Sequence, residues 1–189
     1  MNARGGQASP AQLVSLATDL GLRVAVAESL TGGLLAAALV GVPGASRVFS
    51  GGVVAYDTFL KHTLLGVDRE LLAARGPVDA GVARQMALGV RRACATPPSA
   101  SDPGTDLVVD AEIGLSTTGV AGPDPDPATG QAVGTVWIGV SSILGERAVP
   151  LLATGDRRQI RDQTVARALQ ELGAELLALA SKDTRSSGT

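Results

Sequence analysis

A serine at the end of an apolar segment is the first residue in this sequence whose surroundings suggest chemistry. The segment Val24–Ala27 has the pattern of a short buried strand, and Ser29 follows it, ahead of a Thr-Gly-Gly turn and an apolar helical run over residues 34–40. A helix that begins after such a turn has backbone N–H groups without partners. The pattern predicts a nucleophilic Ser29 hydroxyl with the N–H groups of Leu30 to Gly32 as oxyanion donors. A tight packing turn between strand and helix would give the same pattern.

A lysine in the next helical segment is the candidate that would activate this serine. Most cationic residues in the chain are arginine, and Lys61 and Lys182 are the only lysines. Arginine keeps its proton in proteins, whereas a buried lysine can lose it, so Lys61 is a candidate for proton transfer. Tyr56, the only tyrosine, lies five residues before it. The alternative is that Lys61 is an exposed helix residue, as most lysines are.

Composition disfavours other kinds of catalytic site. His62 is the only histidine and directly follows Lys61, so on a helix the two side chains point about 100° apart and cannot serve one site. One histidine and one cysteine, Cys94, cannot supply the usual ligands of zinc, and no metal is expected. Asp124 and Asp126 lie in a proline-rich loop, where a solvated turn is the expected structure. A GxxxxGK phosphate-binding motif is absent.

Length and composition limit the class of protein. The chain has 189 residues, which is typical of one domain, and it is 45% hydrophobic but only 2% aromatic, so its core must consist of Ala, Val and Leu. The net charge of −2 argues against direct nucleic-acid binding. A single cysteine, an N-terminus without an apolar signal core and the lack of a run of membrane-spanning length predict a soluble cytoplasmic protein with no membrane partner.

Helical and strand patterns alternate along the chain and predict a three-layer α/β/α sandwich with a mixed central sheet. One domain is expected over residues 9–181, between a disordered segment 1–8 and a loose tail 182–189. Its first helix has a start signature in Ser9, Pro10 and Gln12. The predicted elements are helix 9–20, strand 23–28, helix 32–40, an extended segment 46–56, helices 58–65, 69–74 and 79–95, strands 133–142 and 146–153, and a final helix from residue 156.

The stretch between residues 105 and 119 allows two interpretations. It is either a single strand with a bulge, or a loop or hairpin followed by a strand that begins at Ile113. The glycines and prolines that follow, up to Ala132, predict a loop.

An arginine at the start of the final helix is typical of an anion site. The sequence TGDR places Arg157 at the helix N-terminus, where backbone N–H groups and a guanidinium both attract phosphate or carboxylate. An exposed basic turn that pairs with Asp156 and Asp162 is equally compatible with the sequence. Thr118 and the loop backbone that begins at Gly119 are candidates to line the same pocket.

Several motifs in order along the chain resemble one known family. They are AESLTGGLLAAAL, VPGAS, GGVVAYDTFLK, LLGV, TGVAGPD, VGTVWIGV and TGDR. This combination is similar to the C-terminal domain of the competence/damage-inducible protein CinA, a domain that also occurs alone as a nicotinamide-nucleotide amidase. The resemblance covers roughly residues 10–180, nearly the whole chain.

The resemblance implies hydrolysis of the carboxamide of nicotinamide mononucleotide to nicotinic acid mononucleotide and ammonia, without a cofactor, by a homodimer. It implies that Ser29 is the nucleophile and that Lys61 removes its proton directly or through Tyr56. The family pocket residues carried over are Thr31, Gly32, Ser46, Thr118, Gly119 and, for the phosphate, Arg157. Residues 96–111 are expected to be a local insertion. A non-catalytic nucleotide-binding or regulatory module, or an amidase for another small amide, remain open alternatives.

Overall fold

The computed structural model describes residues 8–97 and 107–186, which form one sheet with helices on both faces. Most predicted elements are confirmed to within a few residues of their ends. The strands are β1 Val24–Glu28, β2 Phe49–Val54, β3 Ile113–Gly119, β4 Thr135–Ser142 and β5 Gly145–Leu152, and the helices are α1 Pro10–Asp19, α2 Leu34–Val40, α3 Thr58–Leu65, α4 Arg69–Arg75, α5 Ala80–Ala93 and α6 Arg157–Ser186.

The sheet is mixed, as the sequence predicts. Its strand order is β2-β1-β3-β4-β5. Strand β1 is parallel to both β2 and β3, and β4 is antiparallel to both β3 and β5. The carboxyl ends of the three parallel strands therefore meet at one edge of the sheet. In sheets of this type ligands bind outside that edge, and Ser29 follows β1 there.

The helices form two layers, which confirms the α/β/α sandwich. Helices α1, α2 and α6 pack on one face of the sheet, and α5 packs on the other face with α3 and α4 against it. Each layer has its own apolar core, made of Leu, Val, Ile and Ala on the α6 face and of Leu, Val, Ala and Met on the α5 face. Helix α1 begins with a capping box, in which the side chains of Ser9 and Gln12 each accept a hydrogen bond from the other residue's backbone N–H.

Three glycines allow the α5 layer to pack at very short range. A Cβ at Gly114 of β3 would overlap the carbonyl oxygen of Ala87 in α5, and a Cβ at Gly139 of β4 would overlap that of Ala83. A Cβ at Gly89 of α5 would overlap the carbonyl oxygen of Leu65 at the end of α3. Backbone therefore lies directly against backbone at these contacts, and they set the distance of α5 from the sheet and of α3 from α5.

The structure corrects the predicted extended segment 46–56. Ala45–Arg47 is a short 3₁₀ helix, and β2 begins only at Phe49. Gly44 precedes this turn with a positive φ of 86°, which glycine adopts without strain and which redirects the chain into the turn.

Of the two interpretations of residues 105–119, the structure supports a loop followed by a strand. Thr96 and Val109 form an isolated antiparallel bridge, and β3 then begins at Ile113. Residues 98–106, most of the expected insertion, lie outside the described residues, and the insertion stays a prediction.

The C-terminal helix is longer than expected. It continues to Ser186, so the tail predicted to be loose from Lys182 is helical over 182–186. Extending an existing helix adds one hydrogen bond per residue, which polar residues in water can sustain. Residues 1–7, most of the predicted disordered segment, and 187–189 lie outside the described part of the chain. Within that part, no helix combines the length and the apolar character needed to cross a membrane.

Candidate active site

The turn after β1, residues 29–33, is held by a buried carboxylate. Glu28, the last residue of β1, is 1% exposed and accepts hydrogen bonds from the backbone N–H groups of Gly33, Leu35 and Ala36 at 2.8–3.1 Å. Its negative charge at the N-terminus of α2 also complements the helix dipole. These N–H groups are therefore unavailable to a ligand. We call residues 29–33 the Ser29 turn.

Lys61 lies opposite the serine and contacts it. The Lys61 side chain is 1% exposed, and its Nζ donates to Oγ of Ser29 at 3.1 Å and to the carbonyl oxygen of Ala55 at 2.8 Å. Helix α3 positions it because Asp57 caps the helix through the N–H of Phe59 at 2.7 Å. The structure thus brings together the two residues on which the predicted chemistry depends, and it rejects the alternative of an exposed lysine.

Burial changes the acid–base chemistry of Lys61. Desolvation lowers the pKa of its ammonium from 10.5 to about 8, and the Asp57 carboxylate partly opposes that change. At pH 7 a group with a pKa of 8 is about 10% neutral, against about 0.03% for an ordinary lysine. The neutral amine can accept a proton from the Ser29 hydroxyl, so the pair can act as base and nucleophile.

The pair opens into a cavity of about 260 Å³. Its walls come from the carboxyl ends of β1, β2 and β3, the loop after β3 and the start of α6. The lining residues relevant to chemistry are Ser29, Leu30, Tyr56, Lys61, Thr118, Gly119, Asp124, Asp126 and Arg157. The Asp126 carboxylate accepts hydrogen bonds from Ala128 and Thr129, which hold its pKa below the ordinary value, and this is the solvated turn that the sequence predicts.

Arg157 and Tyr56 meet at the rim of the cavity. Arg157 donates from Nη2 to the Tyr56 hydroxyl and from Nη1 to the Gly122 carbonyl oxygen, both at 2.7 Å. Within residues 8–97 and 107–186 no carboxylate forms an ion pair with Arg157, so its charge is available to an anion. The alternative of a basic turn paired with Asp156 and Asp162 holds only in part. Asp162 pairs with the exposed Arg158, whereas Asp156 accepts from the Gln159 N–H at the start of α6.

Of the two predicted proton routes, direct or through Tyr56, the structure favours the direct one, and Tyr56 contacts Arg157. It is 58% exposed, and the hydrogen bond described for its hydroxyl is the one from Arg157. Lys61 and Ser29 contact each other directly, so proton transfer between them needs no phenol in between. The geometry favours an orienting contact on Arg157 over a relay.

Thr118 and Gly119 line the cavity, as predicted. The Thr118 hydroxyl donates to the Pro77 carbonyl oxygen at 2.7 Å, and the residue is fully buried in the cavity wall. Glycine is required at 119 because a Cβ there would lie 2.7 Å from the Thr135 carbonyl oxygen on β4.

Thr31 and Gly32 do not line this cavity, which corrects the prediction that they contact the substrate. Thr31 is fully buried and its hydroxyl is hydrogen-bonded to that of Thr117 at 2.7 Å. The Gly32 N–H donates to the Ser29 carbonyl oxygen at 3.1 Å, so it is not an oxyanion donor. Of the three predicted donors, the N–H groups of Leu30 and Thr31 remain without an acceptor in the described part of the chain.

Ser46 lies away from the site. It is exposed in the 3₁₀ helix before β2, whereas Ser29 follows β1. Because the two strands are parallel, a residue before one and a residue after the other lie at opposite edges of the sheet. Five strand residues separate the edges by roughly 16 Å at about 3.3 Å each. The prediction that Ser46 lines the pocket of this chain is therefore wrong.

His62 does not line this cavity. His62 faces away from Ser29, and its Nδ1 lies 2.8 Å from the Val67 carbonyl oxygen. No group of three or more His, Cys, Asp or Glu side chains suited to a metal ion occurs in the residues that the structure describes.

Two functional features were missed by sequence reasoning. Glu28 was not among the candidate residues, yet its carboxylate shapes the Ser29 turn. Its signal was a carboxylate at the end of a buried strand, where an unpartnered charge would be costly. The Ala55 carbonyl oxygen that orients Lys61 has no sequence signal, because every residue has a carbonyl group.

Comparison with known proteins identifies the family. The family model of the CinA C-terminal domain matches residues 7–176. The chain is 41% identical over 165 residues to a CinA-like protein of Frankia casuarinae and 43% identical over 163 residues to one of Anaeromyxobacter sp.. These matches cover 87% and 86% of this chain but 34% and 36% of the relatives, so the chain spans about a third of their length.

Solved structures of the same superfamily share the fold. The competence/damage inducible protein CihA from Agrobacterium tumefaciens superposes with a TM-score of 0.74 at 32% identity, covering 92% of this chain and 98% of that one. A CinA superfamily protein from Klebsiella pneumoniae gives a TM-score of 0.76 at 27% identity, covering 89% and 96%. With a family model that matches most of its length and relatives above 40% identity, the chain belongs to the CinA C-terminal domain family.

Proposed function

We propose that this chain is an amidase that hydrolyses the carboxamide of nicotinamide mononucleotide to nicotinic acid mononucleotide and ammonia. The observation that carries the proposal is the 3.1 Å contact between Oγ of Ser29 and Nζ of a buried Lys61 within a cavity. Arg157 at the rim supports the choice of a phosphorylated substrate. The family resemblance suggests the pyridine nucleotide.

In the proposed mechanism neutral Lys61 takes the proton of Ser29 as Oγ attacks the amide carbon. The carbonyl oxygen becomes an oxyanion that the N–H group of Leu30, which lines the cavity, stabilises. Lys61 then gives its proton to the departing nitrogen, so ammonia leaves and an ester of Ser29 remains. Water, deprotonated by the same amine, attacks that ester, and the carboxylate product and the free hydroxyl form. The Ala55 carbonyl oxygen orients Nζ throughout.

Arg157 is proposed to bind the phosphate. It has hydrogen bonds to two uncharged acceptors, so its position is fixed while its charge is not neutralised. Fixing the phosphate holds the amide near Ser29 and contributes through proximity. Loss of Arg157 should therefore mainly raise KM.

Ammonia release from nicotinamide mononucleotide by purified protein tests the proposal. We expect turnover by the wild type, a loss of at least 10³-fold in Ser29→Ala, and retention of activity in Ser46→Ala. Ser46 is the matched control because it lies at the opposite edge of the sheet. Binding of the nucleotide without ammonia release would favour the regulatory module, and full activity of Ser29→Ala would refute the nucleophile.

A further inference from the structure

Arg161 presents an unexplained charge behind the Ser29 turn. It lies four residues after Arg157, on the same side of α6. Its Nη2 donates to the Thr31 carbonyl oxygen at 2.9 Å, and its Nε is buried with no hydrogen-bond partner. A Cβ at Gly32 would lie only 3.5 Å from Nη2, so the guanidinium packs directly against the turn.

The charge of Arg161 is not neutralised by the protein. The ion pairs on α6 use Arg158 with Asp162 and Arg167 with Glu171, and no carboxylate of residues 8–97 and 107–186 pairs with Arg161. A partly buried cation without a counter-ion costs folding free energy, and an uncharged side chain would avoid that cost. A role beyond packing would account for its presence.

The turn that Arg161 contacts includes Leu30, the predicted oxyanion donor that lines the cavity. Thr31 is held at its side chain by Thr117 and at its carbonyl oxygen by Arg161. Its N–H and that of Leu30 have no acceptor in the described residues. A hydrogen bond to the carbonyl oxygen restrains the peptide that follows Thr31, and a cation behind the turn favours negative charge in front of it.

We propose that Arg161 is a positioning residue that holds the Ser29 turn in the geometry of an oxyanion hole and stabilises the oxyanion through its charge. This inference rests on the proposed hydrolysis through Ser29. Because an oxyanion forms only along the reaction path, Arg161 acts on kcat and not on the affinity for substrate.

The test compares Arg161→Gln, Arg161→Met and Arg161→Lys with Arg158→Gln, an exposed arginine one turn away that pairs with Asp162. With nicotinamide mononucleotide as substrate, we expect kcat to fall 10- to 100-fold in Arg161→Gln and further in Arg161→Met, with KM within threefold of wild type. This is less than the 10²- to 10³-fold typical of losing a direct donor. Arg161→Lys should recover part of the loss, and Arg158→Gln should remain within twofold. A rise in KM at unchanged kcat would overturn the inference.

A second measurement separates this inference from the choice of substrate. A fluorophosphonate reacts with an active serine by forming an Oγ–P bond as fluoride leaves, and its phosphoryl oxygen takes the oxyanion position. The rate of Ser29 labelling, followed by intact mass, should fall at least tenfold in Arg161→Gln and recover partly in Arg161→Lys. If the wild type is labelled but releases no ammonia, the proposed substrate is wrong while the labelling rates still decide on Arg161. Equal labelling of wild type and all three Arg161 variants would refute the positioning role.

Discussion

Replacing Lys61 by methionine is expected to abolish turnover and at the same time to make the folded state more stable near neutral pH. Methionine has a similar length and needs no counter-ion, so it removes the base and the buried ammonium together. The expected stabilisation is the opposite of what most core substitutions cause. It therefore tests the burial of Lys61 independently of any substrate.

The magnitude follows from the pKa of Lys61, which is about 8 in the folded protein against 10.5 in the reference state. A lowered pKa means that the folded state binds the proton less tightly than the unfolded state. The penalty is therefore fully present below pH 8 and disappears as the pH rises from 8 to 10.5. Its size is about 3 kcal/mol at about 1.4 kcal/mol per pH unit. Loss of the hydrogen bond to the Ala55 carbonyl oxygen offsets about 1 to 2 kcal/mol of it.

Urea unfolding followed by the fluorescence of Trp137 at several pH values measures this effect. We expect Lys61→Met to be more stable than wild type by about 1 to 2 kcal/mol at pH 7, and this advantage to fall by about 3 kcal/mol between pH 8 and pH 10.5. Lys182→Met, at an exposed lysine, is the matched control. A stability difference for Lys61→Met that is constant from pH 7 to 10.5, or one that the control reproduces, would refute the buried, weakly basic lysine.

Three further predictions concern the neighbours of this pair. The profile of kcat/KM against pH should rise tenfold per pH unit up to a midpoint near 8. Asp57→Asn removes the charge that raises the pKa of Lys61 but keeps the helix cap, so it should move that midpoint to lower pH. An unmoved midpoint would contradict this. Tyr56→Phe removes the hydroxyl that orients Arg157, so in steady-state assays KM should rise about fivefold while kcat stays within twofold. A lower kcat with a changed pH profile would instead support a proton relay through Tyr56. Glu28→Gln should lower the free energy of unfolding by about 2 kcal/mol in urea titrations, because a glutamine amide cannot accept from all three N–H groups. An unchanged urea midpoint would contradict this capping role.

The homodimer implied by the family resemblance stays a prediction. Light scattering of the purified chain would check it, with an expected mass of twice 18.9 kDa.

The sequence predicted the layers and the proximity of Ser29 and Lys61 because local signals were strong there. The capping box at Ser9 and the alternation of apolar segments each depend on near neighbours in the chain, which propensities and periodicity describe well. The contact of Ser29 with Lys61 followed from the parallel order of β1 and β2, since helix α3 begins just beyond the carboxyl end of β2.

Two of the failures, at Thr31 and Tyr56, arose because the hydrogen-bond partner of the side chain is distant in the sequence. Thr31 and Gly32 belong to the right turn, but a hydroxyl on β3 and a carbonyl group within the turn take their hydrogen bonds. Ser46 was misplaced because the 3₁₀ helix that contains it lies before β2. The task of Tyr56 could not be predicted, since its partner Arg157 lies 101 residues away.

The close packing of α5 against the sheet and α3 affects how a mutational scan of this protein should be interpreted. Even alanine at Gly89, Gly114 or Gly139 would force backbone segments apart, and through α3 the displacement would reach Lys61. A saturation screen scored on the proposed activity should therefore find these three positions as sensitive as Ser29, although none of them lines the cavity. Measuring protein abundance alongside activity would separate the two groups, because the glycine variants lose folded protein and the nucleophile variants do not.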